Sequence, residues 1–447
     1  MSEAYKTPAV IYVLALAQFS TPFMFAGVGI ALPAMGRELQ ATGVQLGLIE
    51  MAYLGAASAF LLPVGRYSDL TDRTIIFKVG LLVYALSTLL IGFLNSALFI
   101  IGARFIQGVS AALIMATNMA ILTREVPREK LGSAIGINIG AVYLGLSAGP
   151  FVAGWITNHW GWRWVFHFTF IPLILSFMLI LVVFESSWKK RSVAFDWTGT
   201  AIISVTIFLL VFGSSQLGES VLGAILCVSG LIFAVLFFAV ESRKAHPLID
   251  IRSIKRNTTL SVALIIQLMM YAGAFGISFL FSIYLQTVKG LTPQSAGQIL
   301  VISPIVMAVF APICGRLSDR FSPQMLATIG LVCSLTGIIA ATQVTMETEM
   351  PLLLAILVCQ GLGFAMFSSP NMAIIMNSVS PSEYGVASAL AANLRTLGMV
   401  FSMIIITVFL SIFLGDQMID THPSQFVSAL RLSFLVFALF AGTGVIL

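Results

Sequence analysis

Charge is the first thing that this sequence lacks. Only 9% of its 447 residues are Asp, Glu, Lys or Arg, whereas 59% are hydrophobic and the mean hydropathy is +1.02. So few charged side chains cannot cover the surface of a folded domain in water. The composition therefore excludes a soluble multi-domain enzyme and favours a chain that lies in a membrane.

Several functional motifs are missing as well. The cysteines, at positions 227, 314, 333 and 359, lie in apolar segments at unrelated spacings, which favours small buried side chains over a metal site or a disulfide framework. No Gly-x4-Gly-Lys-Ser/Thr sequence occurs, so ATP is not the expected energy source. The four histidines show no ligand spacing, and no segment is polar and long enough for a soluble domain. We therefore expect no enzyme activity, no metal and no cofactor.

Long apolar runs are what the sequence has in abundance. A helix needs about 20 residues to cross the hydrocarbon core of a bilayer. Runs of this kind lie near residues 9–35, 44–66, 75–95, 97–122, 132–157, 163–185, 197–217, 220–240, 259–286, 293–314, 325–345, 351–377, 384–414 and 426–447. We therefore predict an all-α membrane protein with fourteen spans. The polar start at residues 1–7 leads directly into the first run, so no cleavable signal peptide is expected.

The basic residues indicate which side of the membrane each loop faces. If the N-terminus lies inside, most of the 23 Lys and Arg residues fall in inner segments, with the largest group at residues 243–256. Cytoplasmic loops carry such an excess, so both termini are predicted to be cytoplasmic. The expected location is the plasma membrane, or the inner membrane of a Gram-negative cell. This topology accounts for the net charge of +5, so no nucleic-acid partner is needed.

An internal repeat divides the chain. Residues 65–69 (Gly-Arg-Tyr-Ser-Asp) return as residues 315–319 (Gly-Arg-Leu-Ser-Asp), and the sequence Asn-Met-Ala-Ile occurs at both 118–121 and 371–374. Spans 1–6 therefore correspond to spans 9–14, with spans 7 and 8 inserted between them. The predicted units are 1–186, 187–242 (the inserted helices), 243–258 (a cytoplasmic loop) and 259–447. Two parallel halves predict a substrate pathway at their interface, near the bilayer midplane.

Several stretches carry patterns typical of one known family. They are residues 65–73, 104–108 (Arg-Phe-Ile-Gln-Gly), 140–154, 162–166 (Trp-Arg-Trp-Val-Phe), 196–199 (Asp-Trp-Thr-Gly) and 385–398. With them, nearly the whole chain resembles the major facilitator superfamily, and within it the fourteen-span drug:proton antiporter family. The resemblance implies the major facilitator fold, with two six-helix bundles plus two inserted transmembrane helices. It also implies a monomer whose partners are the lipid bilayer, a small-molecule substrate and protons.

The chain also departs from that family. Its cation-exporting members usually carry an acid in span 1 a few residues before Ala-Leu-Pro, whereas the region before Ala31 has Met24 and no acid. The acid of the span-2 pattern stands one position early, at Glu50. Leu70 and Asp72 stand where the family often has Arg and Gly. The motifs therefore identify the family but not the substrate.

Glu50 alone among the 18 acids lies well inside a predicted span. A charge at the bilayer centre costs about 3 kcal/mol, so such a residue usually faces a cavity or a partner. There, a carboxyl group can load and release a proton as water access alternates. The alternative is that Glu50, about two turns from the outer end, sits in a wet vestibule.

Two arginines also lie within predicted spans. The resemblance implies that Arg104, in span 4, takes part in proton-coupled conformational change, and the alternative is a structural anchor bonded to backbone carbonyls. Its repeat mate is Leu357, so this role is performed once. Arg395, midway through span 13, either attracts an anionic group or holds two helices together, and the second alternative is favoured.

Uncharged polar side chains within the spans complete the list of cavity candidates. The full set is Gln18, Tyr53, Asn118, Asn138, Tyr143, Gln267, Gln360, Asn371, Asn393 and Arg395. Some of these residues are expected to line the substrate cavity and others to bond across helices, and the sequence does not sort them. The repeat suggests that Asn118 and Asn371 line the cavity as a symmetric pair.

Two further sets of residues concern the conformational change. One set lies on the inner side and comprises Gly65, Asp69, Arg73, Gly315, Asp319 and Arg320. The resemblance implies a latch in which Asp69 meets the N-terminus of a helix from the other half, and the alternative is an ordinary solvated loop. The other set lies on span 5 and comprises Gly145, Gly149, Pro150 and Gly154. These residues permit close helix contact, and the resemblance implies an outer seal that is typical of exporters.

The sequence therefore predicts export of a small organic compound in exchange for protons, by alternating access. The alternatives are an uptake transporter for one metabolite or nutrient and, outside transport, a receptor or scaffold on the same fold. With Arg104 and Arg395 inside and a single acid, the cavity has little negative charge. Neutral, anionic or zwitterionic compounds are therefore expected to be better substrates than dicationic drugs.

Overall fold

The computed structural model shows a chain built from membrane helices. It describes residues 3–183, 195–218, 220–244, 248, 256–317, 320–380 and 384–447. Within these ranges there are 14 helical segments long and apolar enough to cross a membrane, and no strand. The prediction of an all-α membrane protein with fourteen spans is confirmed.

The first eight spans are single helices, whereas the ninth and tenth are broken. The single helices are α1 (Glu3–Leu39), α2 (Gly43–Leu70), α3 (Arg73–Ile91), α4 (Ala97–Glu125), α5 (Arg128–Trp160), α6 (Arg163–Val183), α7 (Trp197–Ser215) and α8 (Val221–Glu241). Span 9 consists of α9 (Thr258–Ala274), α10 (Ile277–Ile283) and a π-helical turn (Tyr284–Val288), and span 10 of α11 (Pro293–Leu300) and α12 (Ile302–Leu317). The last four spans are α13 (Pro323–Ala341), α14 (Met350–Asn377), α15 (Tyr384–Leu414) and α16 (Pro423–Ile446).

Polar caps determine where several of these helices begin. Thr42 and Gln45 form a capping box at the start of α2, in which each side chain accepts a hydrogen bond from the other residue's backbone N–H, at 3.2 and 3.1 Å. Asp72 and Asn257 cap α3 and α9 through their side-chain oxygens. A short polar side chain directly before an apolar run therefore marks these helix starts.

The two halves repeat the same helix pairings. In the first half α1 packs on α5 and α6, α2 on α4, and α3 on α4 and α6. In the second half α9 packs on α15 and α16, α12 on α14, and α13 on α14 and α16. These equivalent contacts build two bundles, α1–α6 and α9–α16. The inserted helices α7 and α8 pack on each other, and α7 also contacts α2 and α15, one from each bundle.

The bundles are joined at the end of the molecule that holds the α1–α2 turn, which is predicted to face outside. Ser282 Oγ donates to the backbone carbonyl of Gly29 at 2.6 Å. Gln286 Nε2 donates to the carbonyl of Ile30 at 3.0 Å. Since α1 belongs to the first bundle and span 9, which holds Ser282 and Gln286, belongs to the second, these bonds close the α1–α2 end.

Ionic contacts tie the inserted helices together at the opposite end. Lys244, which follows α8, pairs with Asp196 before α7 and, at 3.4 Å, with Glu241. Burial opposes ionisation of Asp196, but the hydrogen bonds from Lys244 and from the N–H of Gly199 outweigh it and hold the pKa of this carboxyl below its usual range. The two helices are therefore fastened at this end by a charged pair at the membrane boundary.

Candidate functional site

Glu50 lies inside the first bundle, on the part of α2 that packs against α4. Gly108 allows this packing, because a Cβ atom there would collide with the backbone carbonyl of Tyr53. The close approach of the helices brings Arg104, one turn before Gly108, beside the Glu50 carboxylate. Glu50 is 1% exposed and Arg104 is 0% exposed, so both charged groups are removed from water and from lipid.

All three nitrogens of the Arg104 guanidinium donate hydrogen bonds. Nη2 donates to Oε2 of Glu50 at 3.1 Å, Nη1 donates to Oε1 of Gln107 at 2.7 Å, and Nε donates to the backbone carbonyl of Ile49 at 3.2 Å. The guanidinium carbon also lies 4.3 Å from the centre of the Tyr53 ring, in a cation–π contact. Arg104 thus has an ion-pair partner and an anchoring carbonyl at once.

The ion pair leaves one oxygen of Glu50 without a donor. Oε2 accepts the bond from Arg104, but Oε1 is buried and has no hydrogen-bond partner among the residues that the structure describes. A buried carboxylate oxygen without a partner is unfavourable. Oε1 is therefore the oxygen at which a proton can bind without displacing an existing hydrogen bond, and protonation there removes the buried charge.

Further hydrogen bonds hold Arg104 in place. Gln107, which accepts from Arg104, donates through Nε2 to Oγ1 of Thr88 on α3 at 2.7 Å. Thr88 in turn donates to the backbone carbonyl of Tyr84 at 2.7 Å. The guanidinium is therefore fixed from α2, α3 and α4 together.

The second bundle repeats the amide of this network but not its charge. Gln360, the repeat mate of Gln107, exchanges two hydrogen bonds of 2.9 Å with Ser334, so it joins α14 to α13. The position equivalent to Arg104 holds Leu357, which is fully buried. The helix-joining amide is thus common to both halves, whereas the buried ion pair belongs to the first half.

Aromatic rings connect the ion pair to the second bundle. Tyr53, which lies under Arg104, has its ring centre 6.2 Å from that of Phe25 on α1. Phe25 stacks on Phe275 of the second bundle, with ring centres 5.0 Å apart. We refer to Tyr53, Phe25 and Phe275 as the aromatic bridge, because they form a continuous contact from the Arg104 guanidinium to the other bundle.

The aromatic bridge ends at the break in span 9. Phe275 and Gly276 separate α9 from α10, and the N–H of Gly276 donates to Oγ of Ser402 on α15 at 2.9 Å. This bond satisfies a backbone donor at the interruption, as a stable break within a membrane requires. The sequence analysis did not predict the break, because the apolar run is continuous and contains no proline.

A second polar group lies at a similar depth between the bundles. Tyr271, one turn before the break, interacts with the side chains of Ser368 and Arg395 and lies within electrostatic range of Tyr143. Tyr143 belongs to α5 of the first bundle, so the group includes residues from both bundles. Phe364 packs on Tyr271 with ring centres 5.3 Å apart. The sequence analysis named Tyr143 and Arg395 but missed Tyr271.

Most of the amide candidates for the cavity form hydrogen bonds between helices. Asn118 Nδ2 donates to the backbone carbonyl of Leu14 at 3.0 Å, and Asn138 Nδ2 donates to Oδ1 of Asn118 at 2.8 Å. In the second half, Asn371 Nδ2 donates to Oε1 of Gln267 at 3.1 Å, and Gln267 Nε2 donates at 2.7 Å to a backbone carbonyl of α15. Each half therefore uses buried amides to join its first, fourth and fifth spans.

Other candidates retain polar groups that a ligand or water can meet. Gln18 Oε1 and Asn393 Nδ2 are buried and have no hydrogen-bond partner in the described part of the chain. Tyr143 and Arg395 are half-buried near the middle of their helices. Buried polar atoms are nearly always paired, so these groups are the candidates for contact with a transported molecule or with water.

The glycine face of α5 packs closely on α1. A Cβ atom at Gly145 would collide with the carbonyl of Phe19, and one at Gly149 would lie 3.0 Å from the carbonyl of Phe23. Only residues without a side chain allow the two backbones to approach this closely. Gly145 and Gly149 thus lie where α5 packs within its own bundle.

The end of α5 nearest the α5–α6 turn meets the second bundle. A Cβ atom at Gly154 would lie 2.6 Å from the carbonyl of Pro293, and the carbonyl of Pro150 lies directly against Gly297. By contrast, Gly140, nearer the other end of α5, has open space beside it. Helix α5 therefore contacts the second bundle at the α1–α2 end and has free space farther along.

The residues of the predicted inner latch are described only in part. Asp319 lies outside the described residues, as does the side chain of Asp69. Gly65 and Gly315 each have room for a Cβ atom, Arg73 is half-buried and Arg320 is exposed. The latch stays a prediction.

Comparison with known proteins places this arrangement among transporters. The chain matches the family model described as Major Facilitator Superfamily over residues 14–403, with a second match over residues 263–447. It is 26% identical to the riboflavin transporter RibZ of Clostridioides difficile (strain 630), over 98% of this chain and 96% of that protein. It is 27% identical to the tetracenomycin C resistance and export protein of Streptomyces glaucescens, over 90% and 75% of the two chains. The multidrug resistance protein Stp of Mycobacterium tuberculosis is 25% identical, over 83% and 70%.

Solved structures share the fold. A bacterial homologue of the human lysosomal transporter Spinster, in an inward-facing and unoccupied conformation, superposes with a TM-score of 0.69 at 16% identity, over 99% of this chain and 95% of that one. The nucleoside transporter NupG superposes with a TM-score of 0.66 at 12% identity, over 99% and 98%. These similarities concern the fold alone.

Proposed function

The chain belongs to the major facilitator superfamily, and we propose that it exports small organic compounds across the plasma membrane in exchange for protons. Bundles α1–α6 and α9–α16 expose the site between them to one side of the membrane at a time. On its motifs, we assign the chain to the fourteen-span drug:proton antiporters. It acts as a monomer with both termini in the cytoplasm. Its structural units are residues 1–186, 187–242, 243–258 and 259–447.

The observation that carries this proposal is the buried pair of Glu50 and Arg104. While Glu50 is ionised, the two charges balance each other inside the bundle. When a proton binds at Oε1, Arg104 is left buried without a counterion. Neutralising one partner of a buried ion pair while its hydrogen bonds persist costs about 1–3 kcal/mol, which is enough to shift an equilibrium between two conformations.

The aromatic bridge supplies a route from this pair to the second bundle. Because Arg104 rests on Tyr53, a movement of the guanidinium displaces the ring that lies beside Phe25. Phe25 contacts Phe275 at the break between α9 and α10, where the backbone can change direction most easily. A change in the charge of Glu50 is thereby passed to a helix that moves during transport.

Two observations favour export. Helix α5 is closed against the second bundle at the predicted outer side, as the resemblance implies for exporters. Two of the relatives are named for resistance or export, and one of these is the tetracenomycin C protein. The riboflavin transporter, which matches nearly the whole chain, favours a second candidate function, the transport of one specific metabolite, for which uptake is the alternative direction.

Flux measurements in vesicles of both orientations test these functions. Everted vesicles with an acidic interior should accumulate substrate if the protein exchanges substrate for protons. Right-side-out vesicles in acidic medium should accumulate it if the protein takes up substrate together with protons. Binding without flux in either preparation would instead support a receptor or scaffold. The proposal also requires that Glu50→Gln abolish the accumulation.

A further inference from the structure

Arg395 is a cation within the membrane that has no acidic partner among the described residues. It lies about three turns from the nearer end of α15. The buried carboxylates that the structure describes in the spans are already paired, Glu50 with Arg104 and Glu241 with Lys244. An unpaired charge at this depth is costly unless water or a ligand meets it. Arg395 therefore retains the capacity to bind an anion.

The surroundings of Arg395 place it at the interface between the bundles. Its side chain interacts with Tyr271, which also lies within electrostatic range of Tyr143 from the opposite bundle. Arg395 and Tyr143 are half-buried, whereas Tyr271 is 8% exposed. The backbone of α15 approaches Tyr271 closely, since a Cβ atom at Gly398, one turn from Arg395, would lie 2.8 Å from the Cβ atom of Tyr271. Because Tyr143 belongs to the first bundle, the group lies where the two bundles meet.

Aromatic side chains flank the same place. Phe364 packs on the ring of Tyr271 at 5.3 Å between centres. The stacked pair of Phe25 and Phe275 lies one turn farther along span 9, and both of these rings are half-buried. A cation and two phenolic hydroxyls thus lie beside half-buried aromatic rings where the two bundles meet.

We propose that Arg395, Tyr271 and Tyr143 form a subsite that binds the acidic group of an aromatic substrate, with Phe364 providing a surface for its ring. The inference rests on the proposed function, because it names the substrate class of the same transport pathway. A guanidinium donates two parallel N–H bonds to a carboxylate, sulfonate or phosphate, and tyrosine hydroxyls add further donors. Aromatic rings then bind the remainder of the molecule by stacking or edge contacts.

A matched pair of probes tests this subsite. Riboflavin and riboflavin 5′-phosphate share one ring system and differ in a single phosphate group. Their binding to the full chain in lipid nanodiscs can be followed by the quenching of flavin fluorescence, without a pH gradient. We expect the phosphate to bind about tenfold more tightly than riboflavin, as one charge-assisted contact provides.

Three substitutions and a control variant test whether Arg395 and Tyr271 cause the tighter binding of the phosphate. Arg395→Gln should bring the two Kd values within about twofold of each other, and Arg395→Lys should give an intermediate preference because the paired N–H bonds are lost. Tyr271→Phe keeps the ring and should weaken binding of the phosphate by about threefold. Arg431→Gln is the control, since Arg431 is exposed on α16 and should leave both Kd values unchanged.

The subsite is wrong if the parent protein binds neither probe or binds both equally well. It is also wrong if Arg395→Gln folds, as judged by its melting curve, and keeps the preference for the phosphate. If Arg395→Gln does not fold, the Kd values of Arg395→Lys and Tyr271→Phe test the subsite instead. The subsite is then wrong if both variants keep the full preference for the phosphate. Binding needs no gradient, so Glu50→Gln should retain it. Failure of the proposed function would instead appear as the absence of proton-driven flux.

Discussion

Replacing Glu50 by Gln removes one charge from the first bundle and keeps the shape of the side chain. The amide oxygen can still accept the bond from Arg104, and the amide nitrogen takes the place of the unpartnered Oε1. Arg104 also keeps its bonds to Gln107 and to the Ile49 carbonyl. The variant should therefore fold. We expect a loss of about 1–3 kcal/mol in the free energy of unfolding, less than the 3–5 kcal/mol of a fully unpaired buried charge.

The effect of Glu50→Gln on transport is larger and specific. If one proton is exchanged for one neutral substrate molecule, a gradient of one pH unit supports about tenfold accumulation, equal to about 1.4 kcal/mol. Everted vesicles of the parent should approach that ratio, whereas vesicles of Glu50→Gln should stay near one. Exchange of labelled for unlabelled substrate needs no net proton movement and should persist in the variant. The comparison therefore separates loss of coupling from loss of binding.

A control variant and a substitution of Arg104 show whether the effect is specific to the Glu50–Arg104 pair. Glu347→Gln is matched in chemistry but lies exposed in the turn before α14, so it should not affect transport. Arg104→Gln leaves Glu50 buried without a cation and should be less stable than Glu50→Gln, and the double variant should recover part of that loss. Uphill accumulation by Glu50→Gln equal to that of the parent would refute the assignment of Glu50.

Three further predictions concern packing and pH. Gly108→Ala drives a methyl group into the α2 backbone, so the melting temperature and proton-driven accumulation should both fall, and an unchanged variant would contradict the helix contact described here. Gly154→Val, placed 2.6 Å from the Pro293 carbonyl, should hold the α1–α2 end open. If Ser282 is replaced by Cys as a reporter, a membrane-impermeant maleimide should label that cysteine faster when Gly154→Val is also present. Equal labelling with and without Gly154→Val would contradict the closed α1–α2 end. The lowered pKa of Asp196 means that its ionised form stabilises the folded chain above the ordinary Asp range near pH 4, and that this contribution is lost as the pH falls through the lower folded value. Asp196→Asn should therefore melt at a lower temperature than the parent at pH 7, and the two melting temperatures should converge as the pH falls below the ordinary Asp range.

The sequence was sufficient to predict the spans and to single out Glu50 and Arg104, but not to pair them. Apolar runs of about 20 residues are a local property of the chain, so they can be counted without a structure. The ion pair joins residues 54 positions apart and depends on the close approach of α2 and α4 at Gly108. Such a contact is set by tertiary packing, which no local pattern reports.

The break in span 9 and the role of Tyr271 were missed for a related reason. The segment around Phe275 is continuously apolar, so its hydropathy gives no sign that the helix is interrupted. The available signals were Gly276 at the break and Tyr271, one turn after Gln267 on the same helix face. Gly276 donates to Ser402, a residue more than a hundred positions away, so the interruption depends on a partner that only the fold supplies.

The amide side chains show why polarity within a span does not by itself identify a cavity. Asn118, Asn138 and Asn371 are each 2% exposed, and each is bonded to a neighbouring helix. In a bilayer, an amide must find a partner wherever it lies, so helix-joining and cavity-lining residues have the same sequence signature. Only the unpaired atoms of Gln18 and Asn393 distinguish these two residues from the rest.

The two arginines within the spans have different effects on the net charge that is moved during transport. Arg104 is balanced by Glu50, whereas Arg395 is a fixed cation that a bound anion would neutralise. Exchange of one incoming proton for one outgoing monovalent anion moves two positive charges inward, while the same exchange for a neutral compound moves one. An inside-negative potential of 100 mV contributes about 2.3 kcal/mol per charge, so it drives export of the anion with about 4.6 kcal/mol. A carrier with a single titrating acid can therefore expel an anion against a steep gradient without a second proton, and an unpaired Arg395 suits that substrate.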